Sequence, residues 1–205
     1  MIKFQGSVEG NNYVGYPVEG RITSHFGVRD IAAHSSGHSG VDVAAPEGTE
    51  IKAPCDMVID SIFWEGMDSW KKNFSDIFGN GLIGAIKDAD GDVVGYTIFA
   101  HMREKPTLSE GESVSAGNSI GVVGNTGIST GPHLHWGVGG ANNRWMQKSK
   151  GLLNAFDYCV GGASEAGASE ENDMQERVDS AMAQIDSGQR MMMAVIDELM
   201  GLEES

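Results

Sequence analysis

Short apolar runs separated by glycine-rich turns dominate the first 160 residues of the chain. Several runs alternate apolar and polar residues, as in Val41-Asp42-Val43, and a period of two places successive side chains on opposite faces of a β-strand. Glycine is frequent, at 29 of 205 residues, and proline is rare, at 5, which favours many tight turns. The pattern predicts a mainly β fold, built as an antiparallel sheet, a sandwich or a barrel. Strands are expected within 21–27, 41–44, 51–64, 81–87, 93–100, 119–123 and 131–137.

Other segments interrupt this pattern. Residues 1–20 are rich in glycine and asparagine, and we expect an irregular lead-in there. Residues 65–80 form an aromatic-rich insertion with room for a short helix, and 28–37 and 139–151 read as polar loops. The run Asp88-Ala89-Asp90-Gly91-Asp92 predicts a hairpin turn. It resembles a fragment of an EF-hand loop, but the bidentate acid and the flanking helix pattern of a calcium site are missing from the sequence.

The pattern changes again near residue 161. Residues 161–170 have the composition of a flexible linker. From 171 to 205 apolar residues follow a heptad spacing, which predicts an amphipathic helix. Such a helix needs a partner surface, and three are open: its own domain, a second copy of the chain, or another protein. The predicted organisation is a β-rich domain at 1–160, a linker at 161–170 and an oligomerisation or docking helix at 171–205. The two apolar seams of that helix are formed by Val178, Ile185, Met192 and Leu199, and by Met174, Ala181, Gly188, Val195 and Leu202.

Charge and cysteine content exclude several classes of protein. The net charge is −15 and the pI is near 4.6, and no basic patch is visible, so nucleic acid is not an expected partner. Residues 161–205 carry 11 acidic and 2 basic side chains, so the acidity is concentrated in the tail. No apolar run reaches the ~18 residues of a membrane span. Two cysteines, Cys55 and Cys159, are too few for a disulfide framework and are expected to be free thiols.

A pair of histidines, His133 and His135, suggests a metal or catalytic site. Residues two apart in a strand face the same side, so the two imidazoles would lie together. Imidazole is the commonest protein ligand for transition metals and the usual acid–base group near neutral pH. A catalytic zinc needs three ligands and an open position, and His38, Asp42 and one histidine of the pair supply them. His101 follows an apolar strand and would line the open side with the remaining histidine.

Three separated motifs resemble those of the lysostaphin-like (LytM-type) zinc metallopeptidases. The segment His38-Ser39-Gly40-Val41-Asp42 is similar to the His-x-Gly-x-Asp motif of the family, and His133-Leu134-His135 is similar to its His-Leu-His motif. Between them, the segment 96–102 resembles the strand that carries an isolated histidine, here His101. The runs at 21–27 and 111–133 agree as well, so the resemblance covers roughly residues 18–160.

The resemblance implies a role for each of the five side chains. It makes His38, Asp42 and His135 the ligands of one Zn²⁺ per chain, and His101 and His133 the catalytic histidines. Zinc would activate a water, while the histidines would move protons and stabilise the tetrahedral intermediate. Family members cut peptide cross-links of bacterial peptidoglycan, so a zinc endopeptidase of the cell wall is implied. The alternative is a catalytically silent relative that binds the wall or regulates other wall hydrolases.

Three further residues are candidates for substrate contact because they lie in loops beside the site or where the family has its groove walls: His34, Trp70 and Trp145. His25 is expected to be a packed or surface histidine with no role in metal binding or catalysis. Met57 stands where the family often has glycine, and the insertion at 65–80 is longer than expected from the resemblance. Both departures blur the substrate preference and leave the metal set untouched.

The biological setting is inferred from the two ends of the chain. The heptad tail is unlike a typical secreted wall enzyme, and so is a start without the basic and apolar regions of a signal peptide. These features favour a component of a phage particle that breaches the cell wall, with the tail as its tether. A lysin released at lysis and a peptidase of a bacterial cell are the alternatives.

Overall fold

The computed structural model describes residues 2–9, 11–27, 37–68, 72–145 and 151–159, which all fall within the unit Met1–Ser164. The predicted linker at 161–170 and the predicted helix at 171–205 lie outside the described residues. The described strands are β1 (Gly6–Glu9), β2 (Asn12–Gly15), β3 (Gly20–Ser24), β4 (Val41–Ala44), β5 (Glu50–Lys52), β6 (Met57–Phe63), β7 (Asn80–Lys87), β8 (Val93–Met102), β9 (Ser113–Val114), β10 (Ser119–Val122), β11 (His133–Gly140) and β12 (Leu152–Leu153). One α-helix, α1 (Lys72–Phe78), and a 3-10 helix (Ala155–Tyr158) complete the described elements.

The strands form one large antiparallel sheet with the order β1-β2-β3-β4-β11-β8-β7-β6-β9, and β12 pairs with β11. Strands β10 and β5 form a separate antiparallel pair. The prediction of a mainly β, antiparallel fold is therefore confirmed. The three strands that carry the candidate chemistry, β4, β11 and β8, are neighbours at the middle of the large sheet.

Alternate residues of the central strands feed two apolar clusters on opposite faces of the sheet. On one face, Leu134, Trp136 and Val138 of β11 are fully buried in the larger cluster. The Trp136 ring meets Phe4 edge-on at a centroid distance of 5.0 Å and Tyr13 at 5.6 Å. These aromatic contacts bury β11 on that face and leave the histidine-bearing face for the site.

The second cluster lies on the same face as the histidines. Ile98 and Ala100 of β8 are fully buried there with Phe63, and α1 contributes Phe74. The rings of Phe63 and Phe74 meet edge-on at 4.9 Å. The prediction of a short helix within 65–80 is confirmed, and this helix closes one side of the site face.

The expectation of an irregular lead-in at 1–20 was wrong. Strands β1 and β2 pair antiparallel, with Gly6 opposite Gly15, and β2 pairs in turn with β3. Tyr13 is only 1% exposed because its ring packs on Trp136 and stacks with Phe156 at 5.5 Å. The glycine-rich composition hid these strands, since the packing of Tyr13 depends on Trp136 and Phe156, which are far along the chain.

The structure also bears on the β7–β8 turn, on the two cysteines and on membrane-spanning helices. The turn between β7 and β8 is held by the Asp88 carboxylate, which accepts hydrogen bonds from the backbone N–H groups of Asp90 (3.1 Å) and Asp92 (3.0 Å). Cys55 and Cys159 are free thiols, as predicted. Among the described residues, none of the helices has the length and apolar character needed to cross a membrane.

Candidate metal centre

The pairing of β4 with β11 brings two of the candidate ligands together. Asp42 lies directly opposite His135 in the register of the two strands. His38 precedes β4 and forms a bridge with Gly27, which turns its ring towards the same point. All three side chains are buried. The ligands therefore come from segments that are almost 100 residues apart in sequence and adjacent in the sheet.

Three donor atoms converge at this point. His38 Nε2 lies 3.1 Å from Asp42 Oδ1 and 3.1 Å from His135 Nδ1, and the last two atoms are 2.9 Å apart. A tetrahedral zinc with bonds near 2.0–2.1 Å separates its ligand atoms by about 3.3 Å. Two imidazoles and one carboxylate are also a donor set that zinc accepts. The residues present thus fit a zinc ion, and they are the one such cluster found in the described residues.

The hydrogen bonds behind His38 select the ring nitrogen that faces the cluster. Its Nδ1 lies 2.8 Å from the backbone oxygen of His25 and 3.0 Å from Ser24 Oγ. Because a carbonyl oxygen can only accept, Nδ1 carries the proton and Nε2 keeps its lone pair for a metal. His25 contributes through its backbone, while its exposed side chain only meets the edge of the Phe156 ring.

Asp42 and His135 are in the charge states that a metal requires. Burial alone would raise the pKa of the Asp42 carboxyl, but hydrogen bonds and charge from His135 and His38 hold this pKa well below its usual range. Burial lowers the pKa of His135. An ionised carboxylate beside a neutral imidazole is the form that binds a cation, because protonated ligands cannot coordinate.

The two remaining histidines lie beside the cluster. The rings of His101 and His133 are 4.6 Å apart between centroids, and the His101 ring is 6.0 Å from that of His135. His133 Nε2 is 3.7 Å from Asp42 Oδ1, and the side chain of His133 is 14% exposed, against 4% for His135. His133 therefore borders the solvent side of the cluster.

Both of these histidines donate Nδ1–H to a backbone carbonyl. His101 Nδ1 lies 2.7 Å from the oxygen of Thr126, and His133 Nδ1 lies 2.8 Å from the oxygen of Gly131. In a neutral imidazole the second nitrogen, Nε2, is then the acceptor. Burial lowers the pKa of His101 to about 4, so its ring is neutral near pH 7. Two imidazoles, each held by a backbone carbonyl at Nδ1, thus lie next to the candidate metal site.

Apolar side chains from α1 and from the loop before β11 border the site. The Phe78 ring lies 5.5 Å from the His135 ring and 6.5 Å from the His101 ring. Next to it, Ile77 is 50% exposed and Ile128 is 71% exposed, and Ile128 N donates to the Ile77 oxygen at 2.9 Å. An exposed apolar pair is thus joined at the rim of the histidine site.

The structure places the predicted site residues as follows. His38, Asp42, His101, His133 and His135 are brought together. His34 and Trp70 lie outside the described residues. Trp145 is half-buried, with its ring edge-on to Phe74 at 5.8 Å and the Arg144 guanidinium 5.0 Å from the ring centroid.

Sequence reasoning missed the groups that orient the histidines. Thr126 and Gly131 act through backbone oxygens, and Ser24 and His25 back the ring of His38. The only available signal for Thr126 was its place in the turn 124–127, two residues after the β10 strand. A backbone carbonyl has no sequence signature, so these contacts needed the fold.

Comparison with known proteins agrees with this site. Residues 36–147, more than half of the chain, match Peptidase family M23. This span includes all five site residues. The resemblance drawn from the three motifs is therefore confirmed at the level of the family.

Individual relatives give the extent of the similarity. The DD-carboxypeptidase/endopeptidase Mpg of Neisseria meningitidis is 38% identical over 119 residues, which is 57% of this chain and 24% of Mpg. The peptidoglycan DD-endopeptidase ShyC of Vibrio cholerae is 30% identical over 119 residues, with the same shares of 57% and 24%. The chain thus spans about a quarter of the length of the curated relatives that it matches.

A solved structure extends the comparison to the fold. The catalytic domain of the antimicrobial peptidase lysostaphin from Staphylococcus simulans aligns with a TM-score of 0.51 and 26% identity, over 65% of this chain and 86% of that domain. The family match, the shared fold and the cluster of His38, Asp42 and His135 lead to one conclusion: the chain belongs to peptidase family M23.

Proposed function

We propose that this protein is a zinc-dependent endopeptidase that hydrolyses peptide cross-links of bacterial peptidoglycan. The observation that carries the proposal is the arrangement of the site: three convergent donor atoms at 2.9–3.1 Å, with two oriented imidazoles beside them. The names of Mpg and ShyC, both endopeptidases, support the reaction, and that of ShyC supports the substrate.

The proposed metal ligands are His38 through Nε2, Asp42 through Oδ1 and His135 through Nδ1. Their buried position, the ionised state of Asp42 and the neutral state of His135 support this assignment. A bound Zn²⁺ would supply a Lewis acid that polarises the scissile carbonyl and makes a water molecule acidic enough to attack near neutral pH.

The proposed catalytic residues are His101 and His133. An imidazole whose Nδ1–H is donated to a carbonyl presents Nε2 as a base, so either ring can accept a proton from the attacking water. The resulting imidazolium stabilises negative charge on the carbonyl oxygen and returns the proton to the leaving amine as the C–N bond breaks. Rings only 4.6 Å apart can share these tasks.

Substrate contacts are proposed on the rim of the site. Trp145 remains a candidate from the sequence, and its half-buried ring meets Phe74 edge-on and lies under the Arg144 guanidinium. His34 and Trp70 also remain candidates from the sequence alone. The exposed pair Ile77 and Ile128 adds an apolar surface that suits an aliphatic side chain of a wall peptide.

Zinc content and turnover of the purified protein test the proposal together. We expect about one Zn²⁺ per chain, release of peptide fragments from purified peptidoglycan, loss of turnover with a chelator, and recovery when zinc is added back. His101→Ala and His133→Ala should abolish turnover and keep the zinc, whereas His135→Ala should lose both. Asp90→Ala, in the distant β7–β8 turn, is the control variant and should keep both.

Two results would count against the proposal. A protein that binds zinc and peptidoglycan without turnover would be a silent wall-binding domain. If His133→Ala empties the metal site while His135→Ala does not, the division between ligands and catalytic residues is reversed. Mass analysis of fragments from defined muropeptides would identify the bond that is cut.

We further propose that the tail anchors the peptidase to a larger assembly, with a phage particle as the setting. The support is the sequence alone: a linker composition at 161–170 and a heptad pattern over 171–205 that suits self-association or docking on a protein partner. A chain ending at residue 160 should keep peptidase activity and lose assembly in sedimentation or particle-binding assays. Loss of folding in this truncated chain would mean that the tail belongs to the catalytic domain.

A further inference from the structure

His101 has an unusual backbone conformation. It is the one non-glycine residue among those described with a positive φ, at +60°, and it lies next to the last residue of β8. Residues other than glycine rarely adopt this left-handed backbone conformation. Those that do are held in it by the structure around them. The neighbours of His101 should therefore include groups that fix both its backbone and its ring.

Thr126 holds both parts of this segment. Its backbone oxygen accepts the hydrogen bond from His101 Nδ1 at 2.7 Å. Its side-chain Oγ1 donates to the backbone oxygen of Met102, the residue after His101, also at 2.7 Å. One residue thus connects the ring of His101 to the backbone that carries it.

Asn80 supports Thr126 from behind. The N–H of Asn80 donates to Thr126 Oγ1 at 3.0 Å, which orients the hydroxyl so that its proton points to Met102. The buried side chain of Asn80 donates through Nδ2 to the oxygens of Met102 and Arg103, both at 3.3 Å, and accepts from Glu65 N at 2.8 Å. The strand end at His101 and the 124–127 turn are therefore tied together by side chains.

The turn has little freedom to move. A Cβ added to Gly79 would lie 2.3 Å from Thr126 Oγ1, and one added to Gly127 would lie 2.4 Å from Gly79 N. Backbone this closely packed transmits a displacement at Thr126 to its neighbours. Loss of the hydroxyl should consequently shift the carbonyl that faces His101.

We propose that Thr126, supported by Asn80, is a positioning residue for His101. The hydroxyl of Thr126 fixes its own backbone carbonyl relative to Met102, and this carbonyl keeps the proton of His101 on Nδ1 and directs Nε2 towards the reaction. The inference rests on the proposed peptidase function, because His101 is assigned there as a catalytic residue.

The test compares two substitutions of one side chain. Thr126→Val keeps the shape and removes the hydroxyl, whereas Thr126→Ser keeps the hydroxyl. With a soluble peptide fragment as substrate, kcat of Thr126→Val should fall roughly 10–100-fold, with KM and zinc content within about twofold of the wild type. Thr126→Ser should retain kcat within about threefold. Thr49→Val is the matched control, since it removes a hydroxyl that donates to the Pro46 oxygen at 2.7 Å in a loop before β5, and kcat should not change.

A second readout is independent of turnover. In the zinc-free protein, the ¹⁵N chemical shifts of the His101 ring should report a proton on Nδ1 for the wild type and Thr126→Ser, and a mixture of tautomers for Thr126→Val. If the Thr126→Val variant does not fold, Asn80→Asp tests the inference instead. This substitution removes the Nδ2 donor to the Met102 oxygen and keeps the hydrogen bond from the backbone N–H of residue 80 to Thr126 Oγ1. It should lower kcat and broaden the tautomer population in the same direction.

The outcomes separate this inference from the proposed function. A wild type without turnover contradicts the peptidase, and the tautomer measurement still tests the positioning role. An unchanged kcat and tautomer in Thr126→Val, or an equal loss in Thr126→Ser, would overturn the inference.

Discussion

The histidines of the site differ in which ring nitrogen faces its centre. His38, His101 and His133 each donate Nδ1–H to a backbone carbonyl and therefore turn a basic Nε2 towards the site. His135 is different, because its Nδ1 meets Asp42 while Nε2 lies 3.4 Å from Ser39 Oγ. Backbone carbonyls thus assign the tautomer of three of these four rings before any ligand arrives.

Replacement of the carboxylate tests the metal ligands at this scale. Asp42→Asn keeps the size and one oxygen of the side chain and removes the charge that faces the cation. We expect zinc affinity to fall at least ~100-fold, because even indirect support of a metal site contributes 10–100-fold. Competition with a chromogenic chelator measures this change, and Asp90→Asn, in an exposed turn, should leave the affinity unaltered. Equal affinities for wild type and Asp42→Asn would exclude Asp42 as a ligand.

The two cysteines give a prediction away from the site. Burial raises the pKa of the half-buried Cys55 thiol to about 12, and burial also raises the pKa of Cys159. At pH 8 a thiol with that pKa is a thiolate in roughly 10⁻⁴ of molecules, so alkylation of the native protein should be at least ~100-fold slower than in guanidinium chloride. Mass spectrometry counts the modified thiols. Fast alkylation of Cys55 in the folded protein would contradict the burial and the raised pKa of this thiol.

At the scale of the elements, features that follow from the spacing of nearby residues could be predicted from the sequence. The two-residue spacing of His133 and His135 and the four-residue spacing of His38 and Asp42 were enough to predict a site, because strand geometry fixes which side chains share a face. The β1–β2 hairpin and the carbonyl of Thr126 could not be predicted this way. The hairpin is buried through contacts of Tyr13 with Trp136 and Phe156, and the Thr126 carbonyl meets a ring 25 residues away, so neither leaves a local pattern.

The close approach of Gly40, just before β4, to β11 gives a prediction about packing. A Cβ on Gly40 would lie 2.4 Å from the Trp136 oxygen and 2.9 Å from His135 Nε2, and the first of these atoms is backbone of the central strand. Gly40→Ala should therefore lower the free energy of unfolding by about 1–3 kcal/mol and weaken zinc binding by displacing His135. Denaturant unfolding and zinc titration measure the two effects.

The matched control is Gly140→Ala at the last residue of β11. A Cβ there meets nothing within 4 Å, so the free energy of unfolding should change by less than ~0.5 kcal/mol. If the two alanine variants have the same stability and zinc affinity, the close approach of Gly40 to β11 does not contribute to the free energy of unfolding or to zinc binding.

At the scale of the whole molecule, a metal that joins β4 to β11 should stabilise the fold. Binding to the native state alone adds about 2.7 kcal/mol when free zinc is 100 times the Kd. For a domain of this size, that corresponds to a rise in Tm of roughly 5–10 °C. Calorimetry with zinc and with a chelator measures the shift, and His135→Ala should show none. An equal Tm in both conditions would mean that the ion does not bind across the two strands.

The order of the strands has one more consequence. β11 occupies the middle of the large sheet, between β4 and β8, yet it comes near the end of the described chain. A chain that stops before residue 133 would leave β4 and β8 with open edges facing each other, and it would lack both histidines of β11. No N-terminal fragment of that kind can hold the full ligand set, so a ribosome must complete almost the whole domain before the centre can form. The growing chain therefore passes through a stage in which β4 and β8 are already made and the candidate metal centre is still incomplete.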